Sequence, residues 1–131
     1  MKLLLDTHTF LWYADGDPRL SATAAALLVD PANDLSLSMA SVWEIAIKVG
    51  LKKLTLSAPY VTFMTRAMTG YGVTLLPIAF DDCAAYEQLP FPEPQHRDPF
   101  DRMIIVHAQR DGLSIVGVDA AFDSYGVTRL W

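Results

Sequence analysis

Four acidic side chains lie where apolar segments of this sequence begin or end. They are Asp6, Glu44, Asp101 and Asp119. Ionised carboxylates crowded into a low-dielectric crevice repel one another, and a bound divalent cation is the usual compensation. Because all these donors are oxygen atoms, Mg²⁺ or Mn²⁺ is the expected ion, and either can activate water to hydrolyse a phosphodiester. The four acids therefore predict a hydrolytic metal site.

Each acid also has a simpler structural explanation. Asp6 and Asp119 could each cap the helix that follows it. The segment Ser41–Glu44 matches a capping box, and Glu44 could also pair with Lys48 one turn later. Considered alone, Glu44 fits the capping role better than a metal-binding role, so its assignment depends on the other acids.

The segment Asp98–Asp101 is the most informative local motif. Asp98 suits the N-cap of a helix and Pro99 its first position, whereas the side chain of Asp101 would project into the crevice. We therefore predict Asp101 as a metal ligand and Asp98 as the cap or an outer support. Three basic side chains beside these acids in the sequence are candidates to contact a substrate phosphate: His8, Arg97 and Arg102.

No zinc site competes with this interpretation. Cys83 is the only cysteine, which excludes an intramolecular disulfide and a Cys-based zinc site, and we expect it to pack in the core. The histidines lack zinc-site spacing, and His107 lies on an apolar helical face. The net charge of −5 disfavours a generic nucleic-acid binder, unless a metal ion neutralises several carboxylates.

Strands and helices alternate along the chain. We predict strands at Lys2–Leu5, Leu35–Leu37, Val73–Leu76, Ser114–Val118 and Val127–Leu130. We predict helices at Thr7–Tyr13, Ser21–Val29, Ser41–Val49, Tyr60–Met68, Asp81–Gln88, Pro99–Arg110 and Ala120–Ser124. This alternation favours an α/β fold with a parallel sheet covered by helices on both faces, in which ligands bind beyond the carboxyl ends of the strands. The acids should converge at that edge.

The length and composition predict one domain over residues 1–131. The 52% of hydrophobic residues is enough for one continuous core, and no linker, low-complexity tract or repeat interrupts the chain. The apolar run after Lys2 is too short for a signal peptide or a membrane span, so we expect a cytoplasmic protein without a membrane partner.

Four segments resemble the PIN-domain ribonucleases and, within them, the VapC-type toxins of bacterial toxin–antitoxin pairs. They are Leu4–His8, Ser41–Ile45, His96–Ile105 and Asp119–Phe122. The resemblance implies a three-layer α/β/α sandwich with a central parallel sheet of about five strands, and endonucleolytic cleavage of RNA that depends on Mg²⁺ or Mn²⁺. It also implies a homodimer that a cognate antitoxin neutralises by placing its C-terminal segment in the active-site groove.

The resemblance assigns roles to the acids by position. Asp6, Glu44 and Asp101 match the acidic metal-binding set of the family, and Asp119 matches its common fourth acid. Relatives often carry Thr or Ser two residues before that last acid, whereas this chain has Gly117. A polar contact of the family is therefore absent here.

Two other functions remain open from the sequence. One is a catalytically silent PIN-like module that only binds a partner, which the negative net charge mildly favours. The other is a phosphatase of the haloacid-dehalogenase type, in which Asp6 would be the nucleophile. That enzyme needs a second Asp two positions after the first, and His8 occupies this position.

Overall fold

Five parallel strands form one sheet in the computed structural model, which describes residues 1–131. The strand order is β3-β2-β1-β4-β5, with β1 (Lys2–Leu5), β2 (Asp34–Ser38), β3 (Thr74–Leu76), β4 (Ser114–Val116) and β5 (Arg129–Leu130). The helices are α1 (Thr7–Asp15), α2 (Ala22–Val29), α3 (Met39–Gly50), α4 (Tyr60–Gly70), α5 (Phe80–Gln88) and α6 (Pro99–Asp111), followed by a 3₁₀ helix (Ala120–Tyr125). The predicted parallel α/β fold is confirmed.

The central strand β1 explains why both faces of the sheet are covered. Leu3, Leu4 and Leu5 are all fully buried. Leu3 and Leu5 pack into the core formed with α1, α2 and α4, and Leu4 packs into the core formed with α6 and the 3₁₀ helix. Because successive side chains point to opposite faces, a strand with three consecutive leucines needs helices on both sides. The result is a three-layer sandwich.

Helix α3 begins earlier than predicted. Its first residue is Met39, and the side chain of Ser38 caps it by accepting a hydrogen bond from the backbone N–H of Ala40 at 3.0 Å. Ser41 therefore lies inside the helix, fully buried, and the predicted capping box between Ser41 and Glu44 is wrong. The last residue of β2 is itself the cap, so no loop separates strand from helix.

Other differences are smaller. The predicted strands Ser114–Val118 and Val127–Leu130 are shorter in the structure, since their ends turn into the loops at the sheet edge. Cys83 is exposed on α5, so its predicted place in the core is wrong. No helix combines the length and the apolar character that crossing a membrane requires.

Candidate metal centre

Asp6 directly follows β1 at the carboxyl edge of the sheet. Its backbone N–H donates to the carbonyl of Val116 at 3.0 Å, which extends the pairing of β1 with β4 by one residue. Asp6 occupies the N-cap position of α1, but its side chain makes no capping hydrogen bond. The side chain is 5% exposed. The predicted alternative of a simple helix cap is therefore not realised, and the carboxylate remains available to a ligand.

Glu44 lies in the second turn of α3, almost fully buried, with both oxygens hydrogen-bonded. Its Oε1 accepts from the Thr7 hydroxyl at 2.7 Å, and its Oε2 accepts from Nζ of Lys48 at 2.6 Å. The Ser41 hydroxyl lies 2.9 Å from that of Thr7. Since Thr7 has one hydroxyl proton and a carboxylate can only accept, Ser41 donates to Thr7 and Thr7 donates to Glu44. The predicted pairing with Lys48 is confirmed.

Asp98 and Asp101 begin α6 as the sequence predicts. The Oδ1 atom of Asp98 accepts hydrogen bonds from the backbone N–H groups of Phe100 at 2.8 Å and Asp101 at 3.1 Å, so Asp98 is the N-cap. The side chain of Asp101 is 21% exposed, and its Oδ2 lies 3.2 Å from Nε2 of His96. The cap fixes the first turn of α6 and thereby the position of the Asp101 carboxylate.

Asp119 is both a helix cap and a neighbour of Asp101. Its Oδ1 accepts from the backbone N–H of Ala121 at 2.9 Å, which caps the 3₁₀ helix. One ligand atom each of His96, Asp101 and Asp119 lies within 4.8 Å of the other two. Sequence reasoning did not predict His96 at this site. The only signal was its place in the same short segment as Asp101.

The charges of the acids show that they form one electrostatic unit. Burial and, after it, the negative charges of Glu44, Asp119 and Asp98 together raise the pKa of Asp6 to about 7. Burial, followed by the charges of Asp6 and Asp98, likewise raises the pKa of Asp101 to about 7. Two partly buried carboxylates that resist ionisation would be stabilised by a divalent cation, and their oxygen donors fit Mg²⁺ or Mn²⁺.

Arg102 cannot contact a substrate phosphate, so this prediction is wrong. Its side chain is 1% exposed. The guanidinium donates to the carbonyls of Leu89 at 2.8 Å and Pro90 at 2.9 Å, and it lies 3.7 Å from the ring centroid of Phe91. The sequence places Arg102 next to an acid, but the helix turns its side chain towards the Pro-rich segment before α6.

The other two basic candidates are exposed. Arg97 donates from Nε to the carbonyl of Pro94 at 2.8 Å, and its guanidinium lies 5.1 Å from the ring centroid of Phe91. His8 lies on the first turn of α1, with its ring 5.6 Å from that of Trp12. Both therefore stay candidates for a phosphate contact. His107 is fully buried in α6, 3.3 Å from Asp82, and takes no part in the site.

Gly117 gives Asp6 the space it occupies. A Cβ atom at Gly117 would lie 3.0 Å from Cβ of Asp6 and 3.5 Å from the ring of Phe122. Asp6 itself is fixed by its backbone bond to Val116, so the two segments cannot separate without breaking that pairing. The close approach explains why glycine fits at position 117, where a larger residue would have to displace Asp6.

We expect Gly117→Ala to displace Asp6, because the new methyl group needs a shift of a few tenths of an ångström. The variant should lose about 1 kcal/mol of stability and bind Mn²⁺ roughly 10-fold more weakly. Isothermal titration calorimetry and thermal melting measure the two effects. Gly50→Ala is the matched control, since a Cβ there meets nothing within 4 Å. Equal Mn²⁺ affinity in both variants would contradict the steric explanation.

Comparisons with known proteins agree with the fold. The family model of the PIN domain matches residues 3–127. The structure of VapBC2 from Rickettsia felis, bound to a DNA fragment from its promoter, superposes with a TM-score of 0.72 at 15% identity, covering 99% of this chain and 98% of that chain. No curated protein sequence matches the chain significantly.

Two further solved structures are similar. VapC20 of Mycobacterium tuberculosis, described as a Sarcin-Ricin loop cleaving toxin, has a TM-score of 0.71 at 14% identity, with 96% of each chain covered. FitAcB from Neisseria gonorrhoeae has a TM-score of 0.66 at 20% identity and covers 98% of this chain and 96% of that chain. At such low identity these structures establish the shared fold.

Proposed function

Because the chain belongs to the PIN domain family, we propose that it is a metal-dependent endoribonuclease and the toxin of a toxin–antitoxin pair. The observation that carries the proposal is the cluster of acids at the carboxyl edge of the sheet, where ligand atoms of Asp101 and Asp119 lie within 4.8 Å of each other and the pKa values of Asp6 and Asp101 are raised to about 7. A site that holds buried acids so close together is costly unless a cation neutralises them.

The proposed metal ligands are the four acids at this edge: Asp6, Glu44, Asp101 and Asp119. When bound, Mg²⁺ or Mn²⁺ would lower the pKa of a water molecule and stabilise negative charge on the scissile phosphate. Glu44 accepts a hydrogen bond from Thr7 and pairs with Lys48, whose ammonium group adds positive charge beside the acids. Arg97 and His8 are exposed near the acids in the sequence and are proposed to bind flanking RNA phosphates.

The function is tested by incubating the purified chain with RNA and Mg²⁺ or Mn²⁺. We expect internal cleavage that EDTA prevents, and a loss of at least about 1,000-fold in rate for Asp101→Asn, because this variant removes one anionic ligand from a hydrolytic metal site. Mapping the ends of the products shows whether cleavage is internal. Glu44→Gln should lose less, since Lys48 already neutralises part of that charge.

Asp123→Asn is the matched control for these variants. Asp123 is exposed, lies in the same 3₁₀ helix that Asp119 caps, and pairs with Arg129 at 2.8 Å instead of facing the site. We expect the Asp123→Asn variant to cleave RNA at the rate of the unmodified protein. A chain that binds Mn²⁺ but cleaves no RNA would instead favour the silent PIN-like binding module. The phosphatase alternative has no support from the family comparison.

The proposed partners follow from the same family. Similar chains were solved as VapBC and FitAB assemblies, which supports a cognate antitoxin as partner. We propose that the antitoxin inhibits RNA cleavage by this chain and that the chain is a homodimer acting in the cytoplasm, where its RNA substrate is found. Adding the product of a neighbouring short reading frame to the cleavage assay tests the first point, and sedimentation equilibrium of the isolated chain tests the second.

A further inference from the structure

A chain of hydrogen bonds links a buried guanidinium to the carboxylate of Asp101. Nη1 of Arg102 donates to the Tyr125 hydroxyl at 3.2 Å. That hydroxyl lies 2.8 Å from Nδ1 of His96, and Nε2 of the same imidazole lies 3.2 Å from Oδ2 of Asp101. Four side chains from α6, the Pro-rich segment before it and the 3₁₀ helix thus form one continuous network that ends at the candidate metal site.

Proton counting fixes the direction of this network. The guanidinium of Arg102 can only donate, so the oxygen of Tyr125 accepts from it. The single hydroxyl proton of Tyr125 then has one acceptor among its partners, Nδ1 of His96. A neutral imidazole that accepts at Nδ1 carries its proton on Nε2, and this N–H points at Asp101. Every donor in the network is therefore directed towards the carboxylate.

We propose that His96 is a positioning residue for Asp101 and is not itself a metal ligand. Its Nε2–H holds Oδ2 of Asp101 and leaves Oδ1 for the ion. This inference rests on the proposed function, since it assumes that the acids bind a metal. Hydrogen bonds from neighbouring groups commonly fix the orientation of metal-binding carboxylates, and losing one typically weakens metal binding about 10- to 100-fold.

The surroundings hold His96 in this orientation. Its ring packs edge-on against Phe122, with centroids 6.4 Å apart, and against Tyr125 at 5.5 Å. Nη2 of Arg102 donates to the carbonyl of Leu89 at the start of the Pro-rich segment that carries His96. Arg102 therefore holds both the Tyr125 hydroxyl, which binds the imidazole of His96, and the start of the segment that carries His96.

The competing role is direct ligation, because His96 lies with Asp101 and Asp119 in a cluster of possible ligand atoms. Ligation through Nε2 would move the proton to Nδ1. The Tyr125 hydroxyl would then face two donors, and its own proton would have no acceptor in the network. A buried hydroxyl without a partner is unfavourable, so the network opposes ligation.

The tautomer of His96 in the full-length, metal-free protein gives the first test. We expect ¹⁵N-edited NMR of histidine-labelled protein, recorded at about pH 8.5 where imidazoles are neutral, to show the proton of His96 on Nε2. His96→Gln identifies the resonance. A proton on Nδ1 would overturn the proposal. This measurement needs neither metal nor nuclease activity.

Mn²⁺ binding gives the second test. Tyr125→Phe keeps the ring and removes only the hydroxyl, and we expect it to lower Mn²⁺ affinity roughly 10-fold. Tyr13→Phe is the matched control, since it removes a hydroxyl that donates to the carbonyl of Leu28 at 3.3 Å, away from the acids. Pulsed electron paramagnetic resonance of the Mn²⁺-bound protein should show no directly coordinated nitrogen from His96.

The outcomes separate the two proposals. A chain that binds no Mn²⁺ would overturn both the proposed function and the positioning role. A chain that binds Mn²⁺ through a nitrogen lost in His96→Gln, or whose affinity is unchanged in Tyr125→Phe, would overturn the positioning role alone. Absent RNA cleavage together with an Nε2–H tautomer and weaker Mn²⁺ binding in Tyr125→Phe would support the positioning role and contradict the ribonuclease assignment.

Discussion

Asp6→Asn is expected to abolish metal-dependent RNA cleavage and, in the metal-free protein at about pH 8, to raise the melting temperature by about 10 °C. The carboxyl of Asp6 is 5% exposed, and its pKa is raised from 3.8 to about 7 by burial and by neighbouring negative charges. Asn keeps the shape of the side chain but carries no charge. This pKa shift means that ionising Asp6 lowers the free energy of unfolding by at most about 4 kcal/mol, and Asn, which carries no charge, should recover part of that loss.

The gain from Asp6→Asn should depend on pH in a defined direction. A carboxyl whose pKa is higher in the folded state binds its proton more tightly there, so it does not destabilise the fold at low pH. The loss of stability that this carboxyl causes develops as the pH rises from its pKa in the unfolded chain, 3.8, to its pKa in the folded protein, about 7. The two proteins should therefore melt together near about pH 4, diverge up to about pH 7 and differ by a constant amount above it.

Differential scanning calorimetry in EDTA measures this difference, and repeating the scans with Mn²⁺ tests its cause. Excess Mn²⁺ should raise the melting temperature of the unmodified protein at high pH by more than that of Asp6→Asn, because the variant lacks one of the four proposed anionic ligands. Asp123→Asn, which removes an exposed and paired acid, should gain nothing in EDTA. A melting temperature for Asp6→Asn that is unchanged or lower at all pH values would contradict the assigned repulsion.

Local sequence patterns predict well where these acids lie, because the boundary of a strand or helix depends mainly on residues adjacent in the sequence. An apolar run followed by Asp6, or Asp98 and Pro99 before an apolar helix, specifies an element and its boundary within a few residues. The parallel sheet then brings these boundaries to one edge, which explains why the convergence of Asp6 with Asp101 could be anticipated.

The start of the helix that carries Glu44 and the place of His96 could not be predicted in the same way. Both Ser38 and Ser41 are good capping residues, and only the length of β2 decides that Ser38 is the cap. The helix therefore begins three residues earlier than a capping box between Ser41 and Glu44 would require. His96 depends on Tyr125, which is 29 positions later and joins it through the packing of the 3₁₀ helix. The hydrophobic periodicity of the sequence does not predict a contact between residues so far apart.

Arg102 is a case in which sequence position and tertiary position disagree. The sequence places it beside Asp101, which favoured a phosphate contact. In the structure no carboxylate pairs with its buried guanidinium, which is held by two backbone carbonyls, the hydroxyl of Tyr125 and the ring of Phe91. The charge of Arg102 therefore stabilises the fold of the Pro-rich segment, and its removal should affect stability before it affects RNA binding.

We expect Arg102→Lys to lower the stability of the protein by about 3 kcal/mol, or roughly 10 °C in melting temperature. Lysine keeps the charge, but its compact ammonium group cannot bond two carbonyls and a hydroxyl while stacking on Phe91 as the planar guanidinium does. Mn²⁺ affinity should also fall, because Tyr125 loses the donor that directs its proton to His96.

Arg97→Lys separates this structural role from a contact with RNA. Arg97 is exposed and lies in the same segment, so its conservative replacement should change stability by less than about 0.5 kcal/mol. If Arg97 binds phosphate, Arg97→Lys should raise KM for RNA without changing the melting temperature. An Arg102→Lys variant with unchanged melting temperature and a raised KM would restore Arg102 as a phosphate ligand, since a buried guanidinium cannot be replaced without a loss of stability.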